Sequence, residues 1–277
     1  MNRRSLSFVA GVVCAGVVCV PSLAAAQTIG AAQSFAVVGG QSVTAAAGAT
    51  QSAINGDVAV SPGTSITGFP AFAGTTPPYA THSNDLAAQN AQAATLALYN
   101  TIVALPAGTP ILPALGGQSL GPGTYSVGAA DLAGLSTLTL NGSGTYIFKV
   151  ASSLTANVGS TVSLVGVDPC QVFWQVTSAA TLNGVAFVGN VVAQAGVTLG
   201  TNATLSGRAL TTSLGSVTMA GANTVGGCSS SFPAVPPGPG PVPPGPGPVP
   251  TLSQWAMIGL TVLLAMAGVA ALRARRV

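Results

Sequence analysis

Between residues 130 and 225 five pairs of an apolar residue and a threonine align as a loose repeat: Leu138-Thr139, Leu154-Thr155, Ala180-Thr181, Val197-Thr198 and Val217-Thr218. The steps are 16, 26, 17 and 20 residues. Stretches 137–140, 146–150, 172–176, 186–188, 197–199, 205–210 and 217–219 are rich in β-branched and apolar residues. Gly, Asn and Ser turns separate them, which predicts short strands. Strands this short cannot bury a hydrophobic face singly, but stacked coils can, each covering its neighbour. The spacing therefore predicts a mainly β fold of the β-solenoid type, with the Asp168-Pro169-Cys170 insertion lengthening one coil. A β-sandwich is the alternative. It would require longer strands, more aromatic residues and more outward charge than a chain with 5% aromatic and 4% charged residues supplies.

That scarcity of charge, against roughly 25% in an ordinary soluble domain, also narrows function. Gly, Pro, Asn and Thr interrupt the interior too often for a run of about 20 apolar residues, so contact with a membrane is confined to the two ends. Within residues 27–250, Lys149 and Arg208 stand against Asp57, Asp85, Asp131 and Asp168, a net charge of −2. The excess of cations in the whole chain belongs to its termini, and without a basic patch nucleic-acid binding has no electrostatic basis.

The ends carry targeting chemistry. Arg3 and Arg4, an apolar body over 6–20 and Ala24-Ala25-Ala26 before Gln27 form a secretory signal over residues 1–26. The general secretory route and the twin-arginine route both lead out of the cytoplasm. At the other end a Pro/Gly-rich linker over 230–250, densest in 236–250, predicts an extended polyproline stalk. Residues 252–272 are apolar and long enough to span a bilayer, and Arg273, Arg275 and Arg276 follow on what would be the cytoplasmic side. The segment Val249-Pro250-Thr251-Leu252-Ser253-Gln254-Trp255-Ala256 resembles the Ile-Pro-Thr-Leu type of Gram-negative C-terminal sorting signal, with Pro250, Thr251, Leu252 and Trp255 matching. Val249 and Ala256 depart from that pattern. The resemblance implies a sorting protease of the exosortase type as partner and a place in the Gram-negative envelope, at the surface or secreted after cleavage of 251–277. A permanent single-span anchor is the alternative.

In the exported chain Cys170 and Cys228 are the only cysteines, and a disulfide between them is expected, with two free buried thiols as the alternative. One segment reads as helix. Over about 83–105, Ser83 or Asn84 can cap a run in which Ala87, Ala91, Ala94, Leu98, Ile102 and Leu105 recur at i+3 and i+4 steps, and Pro106 stops it. The Ala-rich stripe predicts packing against a sheet; a lid is the other reading.

Further runs carry a family resemblance: Ser34-Phe35-Ala36-Val37-Val38-Gly39-Gly40, Asn55-Gly56-Asp57-Val58-Ala59-Val60-Ser61-Pro62-Gly63-Thr64 and Thr67-Gly68-Phe69-Pro70. Leu120-Gly121-Pro122-Gly123-Thr124-Tyr125, Cys170-Gln171-Val172-Phe173-Trp174-Gln175-Val176 and Gly207-Arg208-Ala209-Leu210 follow in the same order. Over about 29–226 the chain resembles the microbial ice-binding-like domain family. The resemblance implies a discontinuous right-handed β-solenoid of irregular triangular section, occupying 27–229, with one long α-helix packed alongside. It also implies a role as an exported antifreeze or ice-adhesion protein whose partner is an ice surface. The threonines that would present such a face are Thr139, Thr155, Thr181, Thr198 and Thr218, with Thr161, Thr204 and Thr224 beside them. A non-catalytic structural or adhesion module of the same fold is the other function the chain admits, since threonine suits any pleated surface.

Enzyme chemistry finds little material. Gly117-Gln118-Ser119-Leu120-Gly121 matches a nucleophile pattern but lacks the strand-to-helix context that the chemistry needs. His82, the single histidine, sits at the expected helix start. Asp57 suits a turn, Arg208 and Lys149 suit backbone or carboxylate partners, and no residue spacing suggests a metal or other cofactor.

Overall fold

The computed structural model describes residues 29–46, 52–68 and 80–228. The leader, the linker and the tail, including Pro250, Thr251, Leu252 and Trp255, lie outside the described residues. The chain winds through three strand faces per coil, and all strand pairing is parallel. The first face, which the helix covers, runs Thr81–Ser83, Asp57–Val60, Phe35–Gly39, Thr204–Thr211, Ala186–Ala193, Val172–Val176, Tyr146–Val150, Gly123–Val127, Thr109–Pro110. The second, the threonine face, runs Ala130–Leu132, Leu154–Ala156, Ala179–Leu182, Gly196–Leu199, Ser216–Met219, Ser42–Ala45, Ser65–Thr67. The third contains Ser119–Leu120, Thr137–Asn141, Thr161–Val165, Thr224–Gly226 and Ala53–Asn55.

Ala186–Ala193 and Thr204–Thr211 serve the first and third faces together, longer than the 186–188 and 205–210 expected from the sequence. Each turns the corner at a glycine of positive φ, Gly189 and Gly207, which are register partners. A Cβ on Gly207 would lie 1.9 Å from the Gly189 carbonyl oxygen, so this close approach admits no side chain.

The solenoid is discontinuous because the chain starts inside the stack. Phe35–Gly39 pairs with Thr204–Thr211, Ser42–Ala45 with Ser216–Met219, and Ala53–Asn55 with Thr224–Gly226, so the first coil lies on the last. Asp57–Val60, Ser65–Thr67 and Thr81–Ser83 continue to one end. The 19-residue helix Leu86–Ala104, about 28 Å long at 1.5 Å per residue, then carries the chain toward the other end, where Thr109–Pro110 begins the return.

The helix buries Ala88, Ala91, Gln92, Thr95, Leu98, Tyr99 and Ile102, the packing arrangement rather than a lid. Its cap differs from the expected Ser83 or Asn84. Asp85 is the N-cap and accepts the Ala88 N–H at 2.8 Å, while Asn84 takes a left-handed φ of 50° and so lies outside the helix. Leu105 leaves helical geometry at ψ 149°, as a residue before proline tends to. Lys149 donates to the Val103 and Leu105 carbonyls at 3.2 and 2.5 Å, placing a cation on the negative end of the helix dipole.

Inside the coils, inward positions stack into columns. Tyr125, Phe148, Trp174 and Phe187 form an aromatic series with centroid separations of 5.4, 3.9 and 5.0 Å, and the indole N–H donates to the Val188 carbonyl at 2.9 Å. A second device secures the junction of first and last coils. Buried Arg208 donates to Asn190 Oδ1 at 3.0 Å, to the Gln33 carbonyl at 2.6 Å and to the Cys228 carbonyl at 2.7 Å. Burial lowers its pKa to about 10, and it remains a cation at neutral pH. Beside it the expected Cys170–Cys228 disulfide is present, with Cα atoms 5.2 Å apart and a sequence separation of 58.

Two outcomes follow. Replacing both cysteines by serine lowers unfolding stability by on the order of 4 kcal/mol in the chain-entropy account of a loop this long, read by urea denaturation. For Asp85, the Ala88 N–H first and His82 second hold the carboxyl below its ordinary pKa. A depressed folded pKa gives stability that is present above the unfolded value and lost as pH falls through the folded one, here below roughly pH 4. Thermal melts followed by circular dichroism should show Asp85→Ala less stable at neutral pH, and Asp85→Asn, which still caps, with a shallower acid limb.

Candidate functional site

Strand alternation sends Val43, Ala45, Leu154, Ala156, Ala180, Leu182, Val197, Leu199, Val217 and Met219 inward on the threonine face. The residue between each inward pair, and Thr67 after the inward Ile66 of Ser65–Thr67, must then point out, and in six of the seven strands the outward residue of this column is threonine. Thr155 is register partner of Thr181, Thr181 of Thr198, Thr198 of Thr218, Thr218 of Thr44 and Thr44 of Thr67. Adjacent strands lie about 4.7–4.9 Å apart, so hydroxyls and methyls repeat at that interval. Thr198, Thr218 and Thr67 are exposed; Thr155, Thr181 and Thr44 are half-buried. Branching at Cβ restricts each to few rotamers, which keeps the column ordered.

Alongside runs a second outward column of small residues, Ala179, Gly196, Ser216, Ser42 and Ser65. Ser42 Oγ donates to Ser216 Oγ at 3.0 Å, and Thr67 Oγ1 to Thr44 Oγ1 at 3.3 Å, so neighbouring strands are also linked through hydroxyls. Asp131 in the end strand Ala130–Leu132 is the only charged residue in the seven strands.

Four of the five expected threonines, Thr155, Thr181, Thr198 and Thr218, thus stand in one column. Thr139 does not: it lies on the third face, register partner of Ser119 and Ser163. The position equivalent to Thr155 in the preceding coil is Asp131. The 16-residue step from Thr139 to Thr155 therefore connects two faces rather than two coils. Thr161, Thr204 and Thr224 also lie on the third face, in a column interrupted by Ala186 and ending at Ala53. There Thr161–Val165 meets Ala186–Ala193 at a single register pair, so the third face is broken where the threonine face is continuous. Sequence spacing missed Thr44 and Thr67 because they join the column across the junction of first and last coils. The signal was in the strings themselves: Ser42-Val43-Thr44 repeats Ser216-Val217-Thr218.

The groups considered for catalysis are kept apart. His82 is in Thr81–Ser83 at one end of the stack, with Nδ1 2.8 Å from Asp85 Oδ2 and its ring edge-on to Phe35 at 5.4 Å. Ser119 belongs to the third face, in a strand paired with Thr137–Asn141 toward the opposite end. Asp57 opens the strand Asp57–Val60, and its Oδ1 accepts the N–H of Ala80, 23 residues along the chain, at 2.8 Å, a bond to the neighbouring strand's approach in place of the turn role expected from the sequence. Among the described residues no group of three or more His, Cys, Asp or Glu side chains is placed to hold a metal, and no helix is long and apolar enough to cross a membrane. An open groove of about 520 Å³ near the end of the helix is lined by Val103, Ile111, Ser126, Lys149 and Gln175, and its one cation is the lysine that binds the helix carbonyls.

Comparison with known proteins agrees with this architecture. Over 198 residues the chain is 35% identical to an ice-binding protein of Nostoc sp. (strain HG1), covering 69% of this chain and 71% of that one. The crystal structure of an ice binding protein from an Antarctic biological consortium aligns with a TM-score of 0.65 at 34% identity, covering 72% of this chain and 90% of that one. The ice-binding protein of the Antarctic ascomycete Antarctomyces psychrotrophicus aligns with a TM-score of 0.65 at 34% identity, covering 74% and 100%. Residues 248–276 match the IPTL-CTERM motif. Residues 37–225, more than half of the chain and all three strand faces, match the Ice-binding-like family, and the protein belongs to that family.

Proposed function

We propose that this protein is exported and adsorbs to ice through the threonine face, restraining ice growth or recrystallisation without catalysing a reaction. The observation that carries the reading is the column Thr155, Thr181, Thr198, Thr218, Thr44 and Thr67, in register on one continuous parallel sheet. Each hydroxyl offers one donor and two acceptor positions, compatible with the tetrahedral bonding of water. The adjacent methyl groups and small side chains hold water close without binding it strongly. A single such contact is weak, but a rigid column makes many at once with little conformational entropy to lose. Ice between adsorbed molecules must then grow as a curved front, which lowers its local freezing temperature.

The targeting segments complete the proposal. The leader 1–26 directs the chain out of the cytoplasm, and the tail with Pro250, Thr251, Leu252 and Trp255 is read by an exosortase-type protease in a Gram-negative envelope. Residues 252–272 are apolar and long enough for the chain to remain membrane-anchored until that step.

Thermal hysteresis and ice recrystallisation assays on residues 27–235 test the reading. Thr198→Tyr and Thr218→Tyr, at the middle of the column, should each remove most of the activity while leaving the melting temperature nearly unchanged. Thr139→Tyr and Thr204→Tyr on the third face should retain it. Activity that survives the first pair and fails with the second moves the site to the third face. A folded protein with no activity at high concentration is instead a structural surface module.

A further inference from the structure

Resting on the proposed ice-binding reading, the geometry points to Asp131 as the residue that sets where the ice-contacting surface ends. Ala130–Leu132 is the outermost strand of the threonine face and is paired in register along its whole length, Ala130 with Leu154, Asp131 with Thr155 and Leu132 with Ala156. Ala130 and Leu132 are buried like the inward residues of every other coil, and Asp131 is exposed between them. The backbone of a seventh rung is therefore already built, with an acid where the pattern has threonine. On the far side the strand is covered by a bridge from Ala114 to Asp131, and among the described residues no further strand extends the sheet.

The difference between the two side chains is one of hydration. A carboxylate accepts only, organises water radially around its charge, and is very costly to transfer into surroundings that cannot reorganise around it. Ice is such a surrounding, because its molecules are fixed donors and acceptors in a lattice. An ice layer that follows the hydroxyls from Thr67 to Thr155 would have to strip or distort the Asp131 shell to advance one more strand. Asn157 Nδ2 donates to Asp131 Oδ1 at 3.0 Å and satisfies one acceptor, but it brings no positive charge. Contact with ice therefore stops between Asp131 and Thr155, and six of seven available strands are used.

Asp131→Asn and Asp131→Thr test this in the exported domain. Asparagine keeps the size and the acceptor that Asn157 uses while removing the charge; threonine adds the missing rung. The expected result is an upward shift of the thermal-hysteresis curve at every concentration for both variants, larger for Asp131→Thr, with melting temperatures close to the parent. Should Asp131→Thr fold poorly, Asp131→Asn alone decides, since it conserves the hydrogen bond. Hysteresis unchanged in folded variants would place Asp131 outside the contact, and reduced hysteresis would make it a favourable participant; either overturns the inference. Thr218→Tyr in the same assay separates the two levels. If it removes activity and the Asp131 variants do not raise it, only this inference fails. If the parent is inactive, or Thr218→Tyr does not reduce activity, the ice-binding reading of this face falls and Asp131 falls with it.

Discussion

Parallel, in-register pairing between coils is the constraint on which the rest of this structure depends. Once one strand lies on the next with equivalent residues aligned, every inward position continues a column of core contacts and every outward position continues a column of surface chemistry. The aromatic series through Phe148 and Trp174 and the threonine column through Thr198 and Thr218 are two products of that rule, one facing in and one facing out. A shift of one residue on the threonine face would turn the threonines inward and their apolar neighbours outward, because successive strand residues point to opposite sides. Burial of Val197 and Leu199 against the core therefore fixes the outward direction of Thr198, and the surface inherits its order from the interior.

The same pairing explains why a chain with little charge can still hold a closed and defined form. The first and last coils of the chain meet inside the stack, so the junction must be secured by contacts that no local sequence preference provides. Arg208 binds the Gln33 and Cys228 carbonyls together, the disulfide ties Cys228 to Cys170, and the helix spans the neighbouring strands from outside. Lys149 and Asp85 complement the two ends of the helix. These charges are spent on backbone groups and helix ends, which leaves the threonine face neutral apart from Asp131. A neutral face of small hydroxyl and methyl groups is suited to an uncharged, periodic partner and poorly suited to bond-making chemistry.

Much of this was legible in the amino-acid order, and the errors are as informative as the successes. Strands 146–150 and 172–176 appear at the expected bounds, because turn residues flank runs rich in β-branched and aromatic residues. The cysteine pair, the helix and its stop before Pro106 were also readable, since each rests on short-range or compositional rules. The cap was misassigned by one or two residues because Ser83, Asn84 and Asp85 are all competent, and only the backbone decides which side chain reaches the Ala88 N–H. Four of the six threonines in the column were readable, and the spacing failed where distance along the chain ceases to measure position in space.

Thr139 and Thr44 mark that boundary. The sequence by itself determined that the chain forms short strands, stacks them as coils, and returns threonine at intervals along them. Only the tertiary structure decided which threonines share a face. Coil length varies with the turns and insertions between strands, so equal steps do not return the chain to equal faces. The first coil moreover pairs with the last, at a sequence separation of about 174 residues between Thr44 and Thr218. Local propensity can specify each strand, but partner and register come from the shared core, which forms only when distant coils are brought together.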